Sequence, residues 1–230
     1  MSGNGRAIDD AVAARRRSNV IMGLRGLRGG PATAPGGPAG NGTEAAAPDE
    51  RCDLCGIEVP GEHEHLLHLG ERRILCVCAT CWAQRSGDPE LRPTGSRIVW
   101  LDGFELPDEL WARLEVPIGL AFFMYSSSVG GMVAMYPSPA GATESELKLG
   151  AWDDLRALNP ELESLEPDAE ALVVNRISEP ATFVIAPIDE CYGLVGAIKV
   201  SWEGISGGDA IERAVPTFFE RLRARSAGAR

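Results

Sequence analysis

The segment CDLCGIEVPGEHEHLLHLGERRILCVCATC, residues 52–81, contains five of the six cysteines and all three histidines of the 230-residue chain. Two C-x-x-C pairs bound this segment, Cys52 with Cys55 and Cys78 with Cys81. Two such pairs at a separation of this order are typical of a tetrahedral site for zinc. The segment therefore decides the expected fold of the N-terminal part and the first hypothesis about function.

The residues around the two pairs predict a small finger. Gly56 follows the first pair and allows a tight turn around the thiolates. Residues 65–69 and 73–77 predict two strands joined by a turn at residues 70–72, and the sequence after Cys78 favours a helix. A cysteine turn, a hairpin and a helix that begins at the second pair resemble a treble-clef zinc finger.

The four paired cysteines are expected to hold one structural zinc ion, because four thiolates leave no coordination position open to water. Rubredoxin-like iron and an iron–sulfur cluster are the alternatives. Trp82 stands where a glycine would close a second rubredoxin-type turn, and this difference counts against rubredoxin.

Cys76 is the cysteine left over from the two pairs. Because side chains alternate along a strand, Cys76 is expected to face the same metal as Cys78, where a closed site has no place for it. We expect it to pack beside the site. The alternatives are an extra ligand, an iron–sulfur ligand in place of one of the first pair, or a redox-active thiol. His63 and His65 lie in a polar stretch and are expected to be solvated.

Composition divides the chain into three parts. Residues 1–50 are rich in Ala, Gly and Pro and predict a disordered tail. Residues 51–90 form the metal-binding module, and residues 91–230 predict a second, α+β domain with a mainly antiparallel sheet and a few helices. The strands predicted in this domain are residues 97–101, 119–125, 131–136, 170–177, 182–188 and 192–202. The predicted helices cover residues 106–116, 150–158 and a C-terminal segment containing residues 211–222.

The chain carries a net charge of −11, although its first 30 residues are rich in arginine. No secretory signal and no apolar run of membrane-spanning length is evident, so the protein is expected in the cytoplasm. An acidic body lacks the basic face that phosphate neutralisation requires, which argues against nucleic-acid binding.

The sequence identifies no catalytic residues. No histidine follows His68, so no serine further along has a histidine nearby in sequence to activate it. Cys191 stands beside Asp189 and Glu190, which would raise rather than lower the pKa of its thiol, and it is expected to be a packing residue at the end of a strand.

Several motifs together resemble a known family. They are CDLCG, CVCATCW, YPSPAGATES, AWDDL, LEPDAEALVVNR, PIDECYGLVGAIKVSWEGISGG and FFERL. They are similar to an uncharacterised family encoded in actinobacterial gene clusters for nickel-iron hydrogenases, over residues 50–225. The resemblance implies an accessory role in hydrogenase expression, maturation or electron transfer, with a hydrogenase subunit or maturation factor as partner.

Three hypotheses about function follow. The first is a zinc-stabilised accessory protein that docks on a protein partner through residues 91–230. The second is an electron-transfer protein, rubredoxin-like or with an iron–sulfur cluster. The third is a zinc-finger regulator that binds DNA or RNA.

Overall fold

The computed structural model describes residues 50–145, 149–200 and 208–228. The tail predicted to be disordered lies outside these residues except for its last position. The described part is an α+β structure with antiparallel sheets, as predicted. Its elements are β1 (Glu64–His68), β2 (Arg73–Val77), α1 (Ala79–Arg85), β3 (Leu91–Pro93), β4 (Val99–Trp100), α2 (Asp108–Arg113), β5 (Leu120–Ser126), β6 (Gly131–Ser138), β7 (Gly141–Ser145), α3 (Leu149–Leu158), a 3₁₀ helix (Pro160–Ser164), β8 (Glu170–Asn175), β9 (Thr182–Pro187), α4 (Ile188–Val200) and α5 (Gly208–Gly228).

The smaller sheet has three strands in the order β2-β1-β3, and both pairings are antiparallel. The hairpin of β1 and β2 and the helix α1 after it confirm the predicted finger. Strand β3 was not predicted, since its three residues, Leu91–Pro93, include a proline. A proline is compatible with an edge strand, and β3 is one.

The larger sheet has six strands in the order β4-β9-β8-β5-β6-β7, and every pairing in it is antiparallel. Its central strands are continuous apolar runs because both faces of the sheet are covered. Helices α4 and α5 pack on one face with Ile188, Leu194 and Leu222. Helices α2 and α3 pack on the other with Leu110 and Leu155.

One predicted strand is wrong. Residues 192–202 were expected to alternate along a strand, but Ile188–Val200 is helix α4, and residues 201–207 lie outside the described part. The buried positions of α4 follow a helical spacing of three and four residues: Ile188, Cys191, Leu194, Val195 and Ile198. The predicted alternation placed Val200 on the buried face, and this residue is 88% exposed.

The hairpin β1–β2 has two faces with different surroundings. Its finger face carries Leu66, Leu75 and Val77, which pack in one apolar cluster with cysteines of the two pairs. Its sheet face carries Leu67, which belongs to the core between the large sheet and α4 and α5. At the hairpin turn, Arg72 pairs with Glu144 on β7 at 2.6 Å. The finger is therefore packed against the larger sheet. The division into a module of residues 51–90 and a domain of residues 91–230 remains a prediction.

No helix in the described ranges is both long enough and apolar enough to cross a membrane.

Candidate metal centre

Cys52, Cys55, Cys78 and Cys81 come together, and their four sulfur atoms lie within 4.8 Å of one another. Sγ of Cys55 and Sγ of Cys78 are 3.8 Å apart. A zinc ion with tetrahedral Zn–S bonds of about 2.3 Å separates its sulfur ligands by about 3.8 Å. All four thiols are free, and 3.8 Å is too long for a disulfide. The donor set and its spacing fit one tetrahedral metal ion.

The first pair lies on a tight turn. The amide of Gly56 donates to the carbonyl of Cys52 at 2.8 Å, and Gly56 has a φ of 78°, a conformation that favours glycine. The loop is held to β2 by two bonds at Cys76. The amide of Asp53 donates to the Cys76 carbonyl at 2.8 Å, and the Cys76 amide donates to Oδ2 of Asp53 at 2.7 Å. The backbone of β2 thus fixes the position of the first pair.

The second pair lies at the beginning of α1. Cys78 is the N-cap, and its sulfur accepts a hydrogen bond from the amide of Cys81 at 3.4 Å. A thiolate at this position satisfies a free amide of the first turn. The helix thereby directs Cys78 and Cys81 to the same point.

The four thiols affect one another's ionisation. Burial alone would raise the pKa of Cys52, but backbone amides of Cys78, Cys55 and Leu54 lower it to about 6. The Cys55 thiol, followed by burial, raises the pKa of Cys81 to about 12. One thiolate is stabilised by the backbone, whereas further thiolates beside it repel one another unless a cation is bound. The cluster is therefore suited to a positive ion.

Cys76 does not face these four sulfurs, contrary to the sequence-based prediction. Alternation on β2 holds only to Val77, where the strand ends, and the chain then turns into α1. Cys78 therefore lies in the apolar cluster of the finger face with Leu75 and Val77. Cys76 lies on the sheet face and belongs to a second group, with His63 and His65.

This second group brings one ring nitrogen of each histidine and Sγ of Cys76 within 4.8 Å of one another. The expectation that the two histidines are solvated is wrong, because the side chain of His63 is 5% exposed and that of His65 is 25% exposed. Their ring centroids are 4.6 Å apart. His68, two strand positions beyond Leu66, has a different role and accepts a hydrogen bond from the Glu71 amide at 3.1 Å.

Each histidine of the second group is held through Nδ1. Nδ1–H of His63 donates to the carbonyl of Pro60 at 2.8 Å. Nδ1–H of His65 donates to Oδ2 of Asp189, on α4, at 2.9 Å. The hydrogen bond to Asp189, followed by one to Cys76, raises the pKa of His65 to about 10.

Cys191 packs in the main core, as expected, although on helix α4 rather than at a strand end. Burial, followed by the charge of Asp189, raises the pKa of its thiol well above the ordinary value. Its sulfur donates to the carbonyl of Pro187 at 3.4 Å. Such a thiol is a packing residue and takes no part in either cysteine group.

The model of a family of unknown function, DUF5947, matches residues 51–226. The chain belongs to this family. The match includes both cysteine pairs and the larger sheet of this DUF5947 protein. No curated protein and no solved structure shows significant similarity to it. The description of DUF5947 gives no activity, so function has to be argued from the two groups of side chains.

The sequence identified the four paired cysteines of this DUF5947 protein but missed the second group. Asp189 was considered only as a neighbour of Cys191, and nothing local connects it with His65. The sequence did contain a signal for His65 and Cys76 of the second group. In a hairpin whose turn spans four residues, His65 lies directly opposite Cys76, and this is the register observed.

Proposed function

We propose that this DUF5947 protein is an accessory protein whose finger is stabilised by one structural zinc ion, and that it acts by docking on a protein partner. The closed group of four cysteines carries this proposal. Four thiolates fill the coordination shell of a tetrahedral ion, so such an ion stabilises the finger and offers no position to a substrate. The apolar cluster of the finger is small, with seven buried residues, which supports a role for the metal in its folding.

Nickel-iron hydrogenase, or its maturation machinery, is the partner that we propose. The support is the resemblance of the motifs in residues 50–225 to the family found in hydrogenase gene clusters. The net charge of −11 favours a partner with a basic surface, because complementary charge accelerates encounter. Exposed apolar side chains are present on the finger, at Leu54 and Ile57, and on the larger domain, at Val129 and Ile177.

Nucleic acid is a poorer partner than a protein, because the arginines near the finger are already paired. Each of the five arginines in residues 72–97, the basic residues nearest the second cysteine pair, is paired with a carboxylate at 3.1 Å or less. The pairs are Arg72–Glu144, Arg73–Glu71, Arg85–Asp88, Arg92–Glu166 and Arg97–Glu170. Arginines already paired in this way gain less from a phosphate, because an existing ion pair must be given up.

Elemental analysis of the full chain, purified without added metal, tests the identity of the ion, together with its visible absorption spectrum. We expect zinc and no visible absorption. Iron with strong visible absorption would instead favour an electron-transfer protein with rubredoxin-like iron or an iron–sulfur cluster.

Affinity capture from hydrogenase-expressing cells tests the partner and locates the interface. Full chains carrying Ile57→Asp on the finger or Ile177→Asp on the larger domain are compared with the wild type. The residues beyond 91 are our proposed interface, so we expect Ile177→Asp to lose the hydrogenase subunit or maturation factor and Ile57→Asp to retain it. The reverse result moves the interface to the finger, and capture of neither protein by the wild type contradicts the proposal of a hydrogenase partner.

A further inference from the structure

We propose that His63, His65 and Cys76 form a second metal site, which binds one divalent ion of the zinc class and leaves a fourth coordination position open. One ring nitrogen of each histidine and Sγ of Cys76 already lie within 4.8 Å of one another. In a tetrahedral site with Zn–N bonds near 2.0–2.1 Å and Zn–S near 2.3 Å, the donors are separated by roughly 3.3–3.6 Å. The group would have to contract from within 4.8 Å to this spacing when it binds the ion.

His63 presents the strongest sign of a missing ligand. In the neutral ring, the proton on Nδ1 faces the carbonyl of Pro60, and Nε2 then bears a lone pair. The side chain is 95% buried, and Nε2 has no hydrogen-bond partner among the described residues. A buried nitrogen acceptor without a donor is unfavourable, and a metal ion supplies the missing partner.

His65 is oriented as metal-binding histidines usually are. Such a histidine gives its other ring N–H to a carboxylate or a carbonyl, which fixes the ring and makes the ligating nitrogen more basic. Asp189 takes this part for His65, and Pro60 takes it for His63. In both rings Nδ1 is occupied, and Nε2 is therefore the nitrogen left for the ion.

Cys76 completes the set from the opposite strand. His65 and Cys76 are direct partners in the antiparallel hairpin, so their side chains stand next to each other on the sheet face. The backbone of Cys76 is fixed independently by Asp53. Cys76 therefore contributes its main chain to the first cysteine loop and its side chain to the second site.

The donor set indicates both the ion and the role of the site. Two imidazoles and one thiolate suit zinc and similar borderline ions better than magnesium or calcium, which prefer oxygen. A zinc ion with three protein ligands keeps water or an exogenous ligand in its fourth position. The second site thus differs in kind from the four-cysteine site, because it can bind water, a small anion or a thiolate from outside.

A competing interpretation uses two of the same residues. In the absence of metal, His65 lies between Asp189 and Cys76, and a thiol beside a histidine oriented by a carboxylate is also the arrangement of a nucleophilic cysteine. That arrangement gives no role to the buried Nε2 of His63. The two interpretations therefore make different predictions for substitutions of His63.

Zinc stoichiometry of the full-length chain tests the proposal. The protein is equilibrated with zinc, freed of loosely bound ions by buffer exchange and analysed for zinc per chain. We expect two zinc ions for the wild type and one for His63→Gln and for Cys76→Ser. The glutamine amide can still donate to Pro60, so His63→Gln preserves the local fold. His68→Gln is the matched control, on the same hairpin but outside the group, and we expect it to retain two.

Alkylation of Cys76, located by peptide mass spectrometry, gives a second measurement. We expect zinc to slow this alkylation at least tenfold in the wild type and to have no such effect in His63→Gln. The proposal is overturned by a wild type that holds only one zinc at saturation, or by both variants holding two. It is equally overturned by a Cys76 that reacts at the same rate with and without zinc. Cys78→Ser should lose both zinc ions because residues 50–90 unfold, whereas His63→Gln and Cys76→Ser should lose only the second ion, so the two proposals fail separately.

Discussion

The finger face and the sheet face of the β1–β2 hairpin each lie beside a group of metal-binding side chains, but the two groups are constructed differently. Beside the finger face, four thiols surround one point, and the backbone of the same short segment holds them. On the sheet face, two imidazoles and a thiol converge, and one imidazole is oriented by Asp189 from helix α4. The first group is held entirely within the finger, whereas the second has its three donors in the finger and an orienting carboxylate from the larger domain.

This difference separates two uses of a metal. A closed set of four thiolates suits a structural ion, since nothing further can bind to it. A set of three ligands, held in part by a residue more than a hundred positions away, suits an ion that binds something else. The structure therefore leads us to expect a large effect on stability at the first group and a large effect on ligand binding at the second.

The largest expected effect is that of Cys78→Ser, which removes a ligand of the first group. Structural zinc contributes on the order of 10–16 kcal/mol of binding free energy in finger peptides, and this energy is coupled to folding. We expect loss of that zinc and unfolding of residues 50–90, measured by zinc analysis and thermal melting. Cys76→Ser, two residues away, is the matched control and should keep the zinc of the first group. A Cys78→Ser protein with full metal content and an unchanged melting temperature would refute the assignment.

The next largest effect compares Leu66→Ala with Leu67→Ala, neighbours on β1 that are both fully buried. Each truncation should cost about 2–5 kcal/mol of unfolding free energy, since each leaves a cavity. Leu66 packs with Cys52 and Cys78, so its loss should also speed the release of zinc from the first group to a chelator. Leu67 packs in the main core, and its loss should not. Equal rates of zinc release in the two variants would contradict the separation of the two faces.

The first group could be predicted from the sequence because its determinants are local. Two C-x-x-C pairs, a glycine at the turn and a helix beginning at Cys78 are all visible within a short segment.

The second group was missed because the predicted register of the hairpin was wrong by one residue. The predicted turn at residues 70–72 pairs Leu69 with Arg73 and places His65 opposite Val77. The observed turn covers residues 69–72, and its pairing of His68 with Arg73 places His65 opposite Cys76. Because side chains alternate along a strand, a slip of one residue changes the partner of every side chain.

Helix α4 was missed for a related reason. Its apolar residues Leu194 and Ile198 fit a strand with period two as well as a helix, since a separation of four satisfies both. Cys191 and Val195 fit only the helix, and the strand interpretation left them out. Because α4 carries Asp189, the wrong element also concealed the carboxylate that orients His65.

A smaller effect is expected for Asp189→Asn, which tests the dependence of the second group on the larger domain. The amide oxygen can still accept from Nδ1–H of His65, but the negative charge that makes the imidazole a stronger ligand is lost. We expect the second zinc to bind about 10–100-fold more weakly, as is typical of such outer partners, and the first zinc to be unaffected.

Glu190→Gln is the matched control for this measurement. Glu190 is the next residue of α4 and pairs with Arg221 at 2.6 Å and with Arg225, and it does not contact His65. Competition with a chelator of known zinc affinity gives the dissociation constants of the first and of the second zinc ion. Equal weakening in the two variants would show that a general loss of negative charge on α4, rather than loss of the carboxylate beside His65, is responsible.

The smallest expected effect concerns the fold once the second ion is removed. In protein stripped of that ion but retaining the first, Cys76→Ala should cost only about 1–2 kcal/mol of unfolding free energy, measured by urea denaturation. The substitution keeps the backbone bonds to Asp53 and removes one partly buried thiol beside His65. With the second ion bound to the wild type, the same comparison should give a larger difference, because only the wild type gains the free energy of binding. If zinc at saturation leaves the difference between the two proteins unchanged, Cys76 is a packing residue on the sheet face and the contrast between the two groups is lost.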